Sequence, residues 1–101
     1  MNFYLVIRRH ASPIDDQVRI TEHLAWMREQ HRRGTVLISG PDSDRTASIY
    51  VLRVPSREDA VALADADPLA RADPVRIEVI EWDVHQILGI GSFTPPSPWS
   101  S

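Results

Sequence analysis

Apolar residues crowd the first positions of the chain and then recur at every third or fourth residue, which predicts a strand followed by a helix. NFYLVIRR, residues Asn2–Arg9, is a short run rich in aromatic and β-branched residues and reads as a strand. HASPIDD then carries turn chemistry at Ser12-Pro13, with Asp15 and Asp16 placed to cap a helix or sit in its first turn. From Gln17 to Arg33 the positions Ile20, Leu24, Met27 and His31 are spaced 4, 3 and 4 apart, one face of a helix that Gly34 closes. TVLISG and RTASIYVLRV read as the second and third strands, joined by the turn-rich PDSD. Ser56 caps a second helix, with Asp59 three residues on as a weak form of the capping box. That helix stops near Ala66 or Asp67, because the residue before Pro68 is pushed out of the α region. VRIEVIEW, residues Val75–Trp82, is the fourth strand.

The order β-α-β-β-α-β predicts an α+β, ferredoxin-like fold, with a four-stranded antiparallel sheet and two helices on one face. We assign it residues 1–92 and read residues 93–101, within the Gly/Pro/Ser-rich GIGSFTPPSPWSS, as a tail. Strands one and three are apolar in both alternation sets: Phe3, Leu5 and Ile7 against Tyr4 and Val6, and Ile49 and Val51 against Tyr50 and Leu52. Such strands expect cover on both faces. A homodimer through the helix-free sheet face supplies it; a monomer with a somewhat apolar surface is the alternative.

Composition narrows the chemistry. The 101 residues suffice for one domain with a real core. Net charge is −3, and the densest basic spots are the pairs Arg8-Arg9 and Arg32-Arg33, so nucleic acid is not an expected partner. The absence of cysteine excludes disulfides, thiolate catalysis and cysteine-ligated zinc. All 11 basic residues are arginine, which excludes lysine Schiff-base chemistry. MNFYLVIRRH lacks the apolar length and charge order of a signal peptide, and no segment approaches membrane-spanning length. A soluble, cytoplasmic domain is expected.

The unusual feature is the acid at the end of the second helix, where exposed carbonyls already carry partial negative charge. At roughly 100° per residue, Asp67 lies four after Leu63, near the row of Ala60 and Ala64, while Asp65 falls on the solvent side. Helix dipole and burial both oppose the charged form of Asp67, so a proton, a cation or a hydrogen-bond donor is needed there. Of the four histidines, His10 follows the first strand, His85 the fourth, and His31 continues the apolar row as a packed or boundary residue. His23 sits at the edge of that row, with Trp26 beyond it, facing the seam between helix and sheet. The two helices of such a fold lie side by side, so His23 and Asp67 are candidates to meet in the cleft.

TEHLAWM around His23, LISGP at Leu37–Pro41 and ADADPL at Ala64–Leu69 together resemble the YciI-like (YCII-related) family. Its marks are a histidine in the first helix, a strand ending in Gly-Pro, and an Asp-Pro-aromatic step after the second helix. They fall here on His23, Gly40-Pro41 and Asp67-Pro68, and the likeness covers roughly residues 2–85. The resemblance implies a dimeric α/β barrel and an active site built from His23 and Asp67. The best-defined activity of the family is dehydrochlorination of chlorinated hydroxyquinols, an acid–base elimination needing no metal or redox cofactor. The sequence departs from the pattern at Leu69, where an aromatic is common, and in the tail after His85.

The expected function is therefore a small cofactor-independent lyase or isomerase acting on a cyclic, enolic or phenolic compound. His23 would transfer the proton and Asp67 would hold its tautomer and raise its basicity. Trp26 and the Ser39-Gly40-Pro41 corner are the candidate substrate contacts; that corner offers a hydroxyl and a backbone N–H to an oxyanion, or is simply a strand exit. A non-catalytic ligand-binding or accessory domain is the alternative, and a cofactor-free monooxygenase-like barrel a third reading. No metal is expected: His23 and His31 are eight residues apart, about 12 Å along a helix. Gly89 and Gly91 lack the strand and helix of a phosphate loop, and Trp99 belongs to the tail.

Overall fold

The computed structural model describes residues 2–72 and 74–88, together with the backbone of residues 91–92. Its elements are β1 (Asn2–Arg9), α1 (Gln17–Arg33), β2 (Val36–Pro41), β3 (Ala47–Val54), α2 (Arg57–Ala66) and β4 (Arg76–Trp82). A 3-10 turn over Pro68–Arg71 follows α2, and two short strands, β5 (Gln86–Ile87) and β6 (Gly91–Ser92), follow β4. β1 to β4 form one antiparallel sheet in the order β2-β3-β1-β4, the ferredoxin-like arrangement.

Local chemistry explains the helix ends. Asp16 caps α1, its carboxylate accepting from the Arg19 N–H at 3.1 Å. Gly34 ends the helix at φ 77°, where its N–H donates to the His31 carbonyl and the Thr35 N–H to that of Gln30. Ser56 caps α2 by accepting from the Asp59 N–H at 3.2 Å while its hydroxyl donates to the Asp59 carboxylate.

Strand alternation sorts the side chains. Tyr4, Val6 and Arg8 of β1 share the helix-covered face with Ser48, Tyr50 and Leu52 of β3, their register partners running Tyr4 to Leu52, Val6 to Tyr50 and Arg8 to Ser48. The core there is Tyr4, Val6, Tyr50 and Leu52 under Met27, Ala60 and Ala64, all buried. Burying a side chain such as Leu52 is worth about 1.5–3 kcal/mol, so the cluster carries much of the fold's stability. The two alanines let the backbone of α2 approach the sheet closely.

The opposite face has no helix. It presents Phe3, Leu5, Ile7 and Ile49 half-buried, with Ile38 67% and Trp82 47% exposed. Two details differ from the sequence reading. β3 begins at Ala47, because Arg45 turns the chain at φ 63°. Beyond β4, past which the sequence reading placed no strand, β5 and β6 pair antiparallel, Gln86 with Ser92 and Ile87 with Gly91. Residues 93–101 with Trp99, and Gly89 of the Gly-rich stretch, lie outside the described residues. Among the described residues no helix is long and apolar enough to cross a membrane.

Candidate active site

Asp67 is where α2, the following turn and the sheet meet. It is the residue after α2, at φ −62° and ψ 129°, and also the cap of the next turn, its Oδ1 accepting from the Leu69 N–H at 2.9 Å. Pro68 forces this exit from the helix. The residue is 1% exposed, whereas Asp65, two positions earlier, is exposed. His23 reaches it from α1, with Nδ1 at 2.7 Å from Asp67 Oδ1.

The partner not anticipated is Arg8. Its side chain is 1% exposed, and its Nη1 donates to Asp67 Oδ2 at 2.9 Å and to the Tyr50 hydroxyl at 3.4 Å. Nη2 donates to the Ala64 carbonyl at the end of α2. His23 is the candidate partner for the carboxylate read from the sequence; a guanidinium from the sheet also pairs with it. The signal was in the sequence, since Arg8 continues the Tyr4-Val6 alternation onto the covered face. Burial pushes the Tyr50 phenol up to about 12, so its hydroxyl stays protonated beside Arg8.

His23 lines a cleft of about 540 Å³ between α1, the β2–β3 corner and the turn after α2. Ile14, Ile20, Leu24, Met27 and Leu69 make its walls apolar. The row read from sequence as the buried helix face is thus divided. Met27 is buried, Ile20 and Leu24 look into the cleft with Leu24 54% exposed, and His31 is exposed. The fully buried residues of α1 are Met27 and Gln30.

Ser39, Gly40 and Pro41 line the same cleft as His23. The Ser39 hydroxyl is 2.9 Å from His31 Nε2, so His31 orients a cleft residue instead of packing in the core. Trp26 is not among the residues lining this cleft. It packs on the core edge-to-face with Tyr50, ring centroids 6.2 Å apart, so a direct substrate contact gives way to support behind the Arg8 network. Leu69 is 5% exposed and forms wall at the position where an aromatic was noted as common.

His10 lies on the covered side beyond Arg8, 8% exposed, and among the described residues neither ring nitrogen has a well-formed hydrogen-bond partner. Burial lowers its pKa, outweighing the pull of the nearby Ala72 carbonyl toward the charged form. Among the described residues no group of three histidine or carboxylate side chains is placed to hold a metal ion.

The family described as YCII-related domain matches residues 1–83. Among solved structures, 5-chloro-2-hydroxyhydroquinone dehydrochlorinase (TftG) from Burkholderia phenoliruptrix AC1100, in complex with 2,5-dihydroxybenzoquinone, is similar in fold, with a TM-score of 0.62 and 22% identity. That likeness covers 81% of this chain and 94% of the other. No curated protein sequence matches the chain.

Proposed function

The chain belongs to the YCII-related domain family, and we propose that it is a small lyase or isomerase in which His23 transfers a proton on a cyclic, enolic or phenolic substrate. The observation that carries the reading is the 2.7 Å contact between His23 Nδ1 and a carboxylate that Arg8 and the Leu69 N–H hold in place, at the edge of an apolar cleft. A carboxylate accepts only, so Nδ1 carries the hydrogen and the lone pair sits on Nε2, the nitrogen left for a molecule in the cleft. Asp67 then stabilises the imidazolium formed when Nε2 takes a proton. Arg8 and Asp67 are positioning residues in this reading; His23 is the catalytic one.

The elimination we propose parallels the activity named for the structurally similar dehydrochlorinase. On a chlorinated hydroxyquinol, one O–H proton first moves to the chlorine-bearing ring carbon, giving a ketone. A second O–H proton then leaves to His23 Nε2, a second ring C=O forms, and the C–Cl bond breaks with both electrons departing on chloride. The products are HCl and a hydroxyquinone, and no external oxidant or reductant enters the balance. Positioned general-base catalysis contributes roughly 10²–10⁴ in rate. The cleft is of a size for one substituted ring, and ligand sites of about 300–1,000 Å³ are ordinary.

We also propose a homodimer through the helix-free face, where Ile38, Ile80 and Trp82 are 67%, 44% and 47% exposed. The buried Arg8–Asp67 pair favours a second reading to the extent that it ties α2 to the sheet, which a non-catalytic ligand-binding domain would use equally. Turnover separates the two. The protein is incubated anaerobically with 5-chloro-2-hydroxyhydroquinone and chloride release is followed. Saturable release supports the enzyme; binding of 2,5-dihydroxybenzoquinone without release of chloride supports the ligand-binding domain.

A further inference from the structure

Apart from the titratable His23, the cleft is lined by one charged side chain. Arg45, on the β2–β3 corner, lines the same space as His23, Ser39 and Ser48. Among the described residues its guanidinium has neither an ion-pair nor a hydrogen-bond partner, whereas five other arginines are paired: Arg8 with Asp67, Arg9 and Arg76 with Glu78, and Arg32 and Arg33 with Glu29.

Its backbone is unusual as well. Arg45 is the only described non-glycine residue with positive φ, at 63°. The turn that sets this angle is built by Asp42, whose carbonyl accepts from the Arg45 N–H at 3.1 Å. The Asp42 carboxylate accepts from the N–H groups of Thr46 at 2.8 Å and Ala47 at 3.0 Å. A hairpin corner of this kind calls for glycine or asparagine at the left-handed position. An arginine there is disfavoured by the backbone, and among the described residues its side chain has no ion-pair or hydrogen-bond partner to offset that. Strained residues of this sort concentrate at ligand clamps and active sites.

We infer that Arg45 is a specificity residue which selects substrates carrying an anionic oxygen on the ring, holding that group at the corner while the ring lies on the apolar wall beside His23. The inference rests on the cleft being the substrate site. Apolar walls exclude water from the ring, and one cation on a fixed corner gives orientation as well as attraction. The guanidinium supplies donors in a planar fork suited to a carboxylate or an ionised ring oxygen.

The test compares an anionic probe with a neutral one only a methyl group larger: 2,5-dihydroxybenzoate and its methyl ester. Calorimetry is run on the wild type, Arg45→Gly and Arg45→Gln. The acid should bind the wild type at least about tenfold more tightly than the ester, and each substitution should weaken the acid about tenfold while leaving the ester unchanged, the scale of one screened charge-assisted contact. The preference should shrink as salt rises. Arg45→Gly should melt no lower than the wild type, because glycine suits the left-handed corner; that result separates a ligand role from a structural one. Equal binding of acid and ester, an unchanged acid affinity in both variants, or failure of the wild type to bind the acid would each overturn the inference. An unchanged affinity in the Arg45 variants alongside chloride release leaves the proton-transfer reading standing. Acid-selective binding without any turnover would instead retain Arg45 and remove the catalytic role of His23.

Discussion

Replacing Arg8 with methionine probes the buried network at its least exposed point. The guanidinium is 1% exposed and donates to Asp67, Tyr50 and the Ala64 carbonyl. Methionine keeps the stem's apolar packing but leaves Asp67, whose side chain is fully buried, with only the His23 ring and the Leu69 N–H as partners among the described residues. Removing one member of a buried ion pair typically costs about 3–5 kcal/mol, because the charge left behind has lost both water and partner. Small domains hold about 5–15 kcal/mol in all, so the variant should fold with a large part of its stability gone. In a chain of this size each kcal/mol moves the melting temperature by about 4–8 °C, so a fall of at least about 12 °C is expected. Asp67→Asn alone should cost a similar amount by stranding Arg8. The double substitution removes both charges and should be less damaging than the sum of the two, with a coupling energy of about 2 kcal/mol. Urea unfolding followed by tryptophan fluorescence reads this, since Trp26 packs on Tyr50, itself bonded to Arg8. Additivity within about 0.5 kcal/mol would refute the idea that Arg8 holds the carboxylate.

Two further outcomes concern pH and assembly. Burial lowers the His10 pKa below 6.5, so the unfolded chain takes up that proton at a higher pH than the folded one. The group's contribution to stability is therefore complete above pH 6.5 and is lost as pH falls from there through the folded value; His10→Leu should flatten the urea midpoint between pH 7.5 and 5.5 relative to wild type. Ile80→Glu puts a charge on the helix-free face at a residue 44% exposed in the single chain. Sedimentation should find wild type dimeric and the variant monomeric at micromolar concentration, and a monomeric wild type would exclude pairing through that face.

Much of the fold was legible in the sequence because its signals are local. Gly34 and Ser56 mark helix boundaries through their own backbone and side-chain chemistry, and the four main strands are separated by turn residues whose preferences hold without tertiary contacts. The site was legible where helical phase sufficed: Asp67 falls on the Ala60-Ala64 side and Asp65 away from it. Arg8 was missed because a charged residue near a strand end ordinarily reads as solvated. Only the alternation with Tyr4 and Val6, taken together with an unanswered acid on the same face, points to its burial. The row from Ile20 to His31 misled for a different reason. Apolar periodicity reports a face shielded from water by something, and here much of it borders a cleft instead of the core. Trp26, three residues after His23 and so only about 60° from it around α1, nevertheless settles on Tyr50 instead of lining the cleft.

The central proposal, proton transfer by His23 held by Asp67, is tested most directly by the rate of chloride release from 5-chloro-2-hydroxyhydroquinone in wild type, His23→Gln and Asp65→Asn. Glutamine keeps a polar side chain beside Asp67 but cannot accept and release the proton. His23→Gln should lower kcat by about 10²–10⁴ with the fold intact, as expected for loss of a positioned base. Asp65→Asn, two residues from Asp67 yet exposed, should leave kcat unchanged. A His23→Gln rate within a factor of about three of wild type, far inside the range such a base supplies, would contradict the role given to His23.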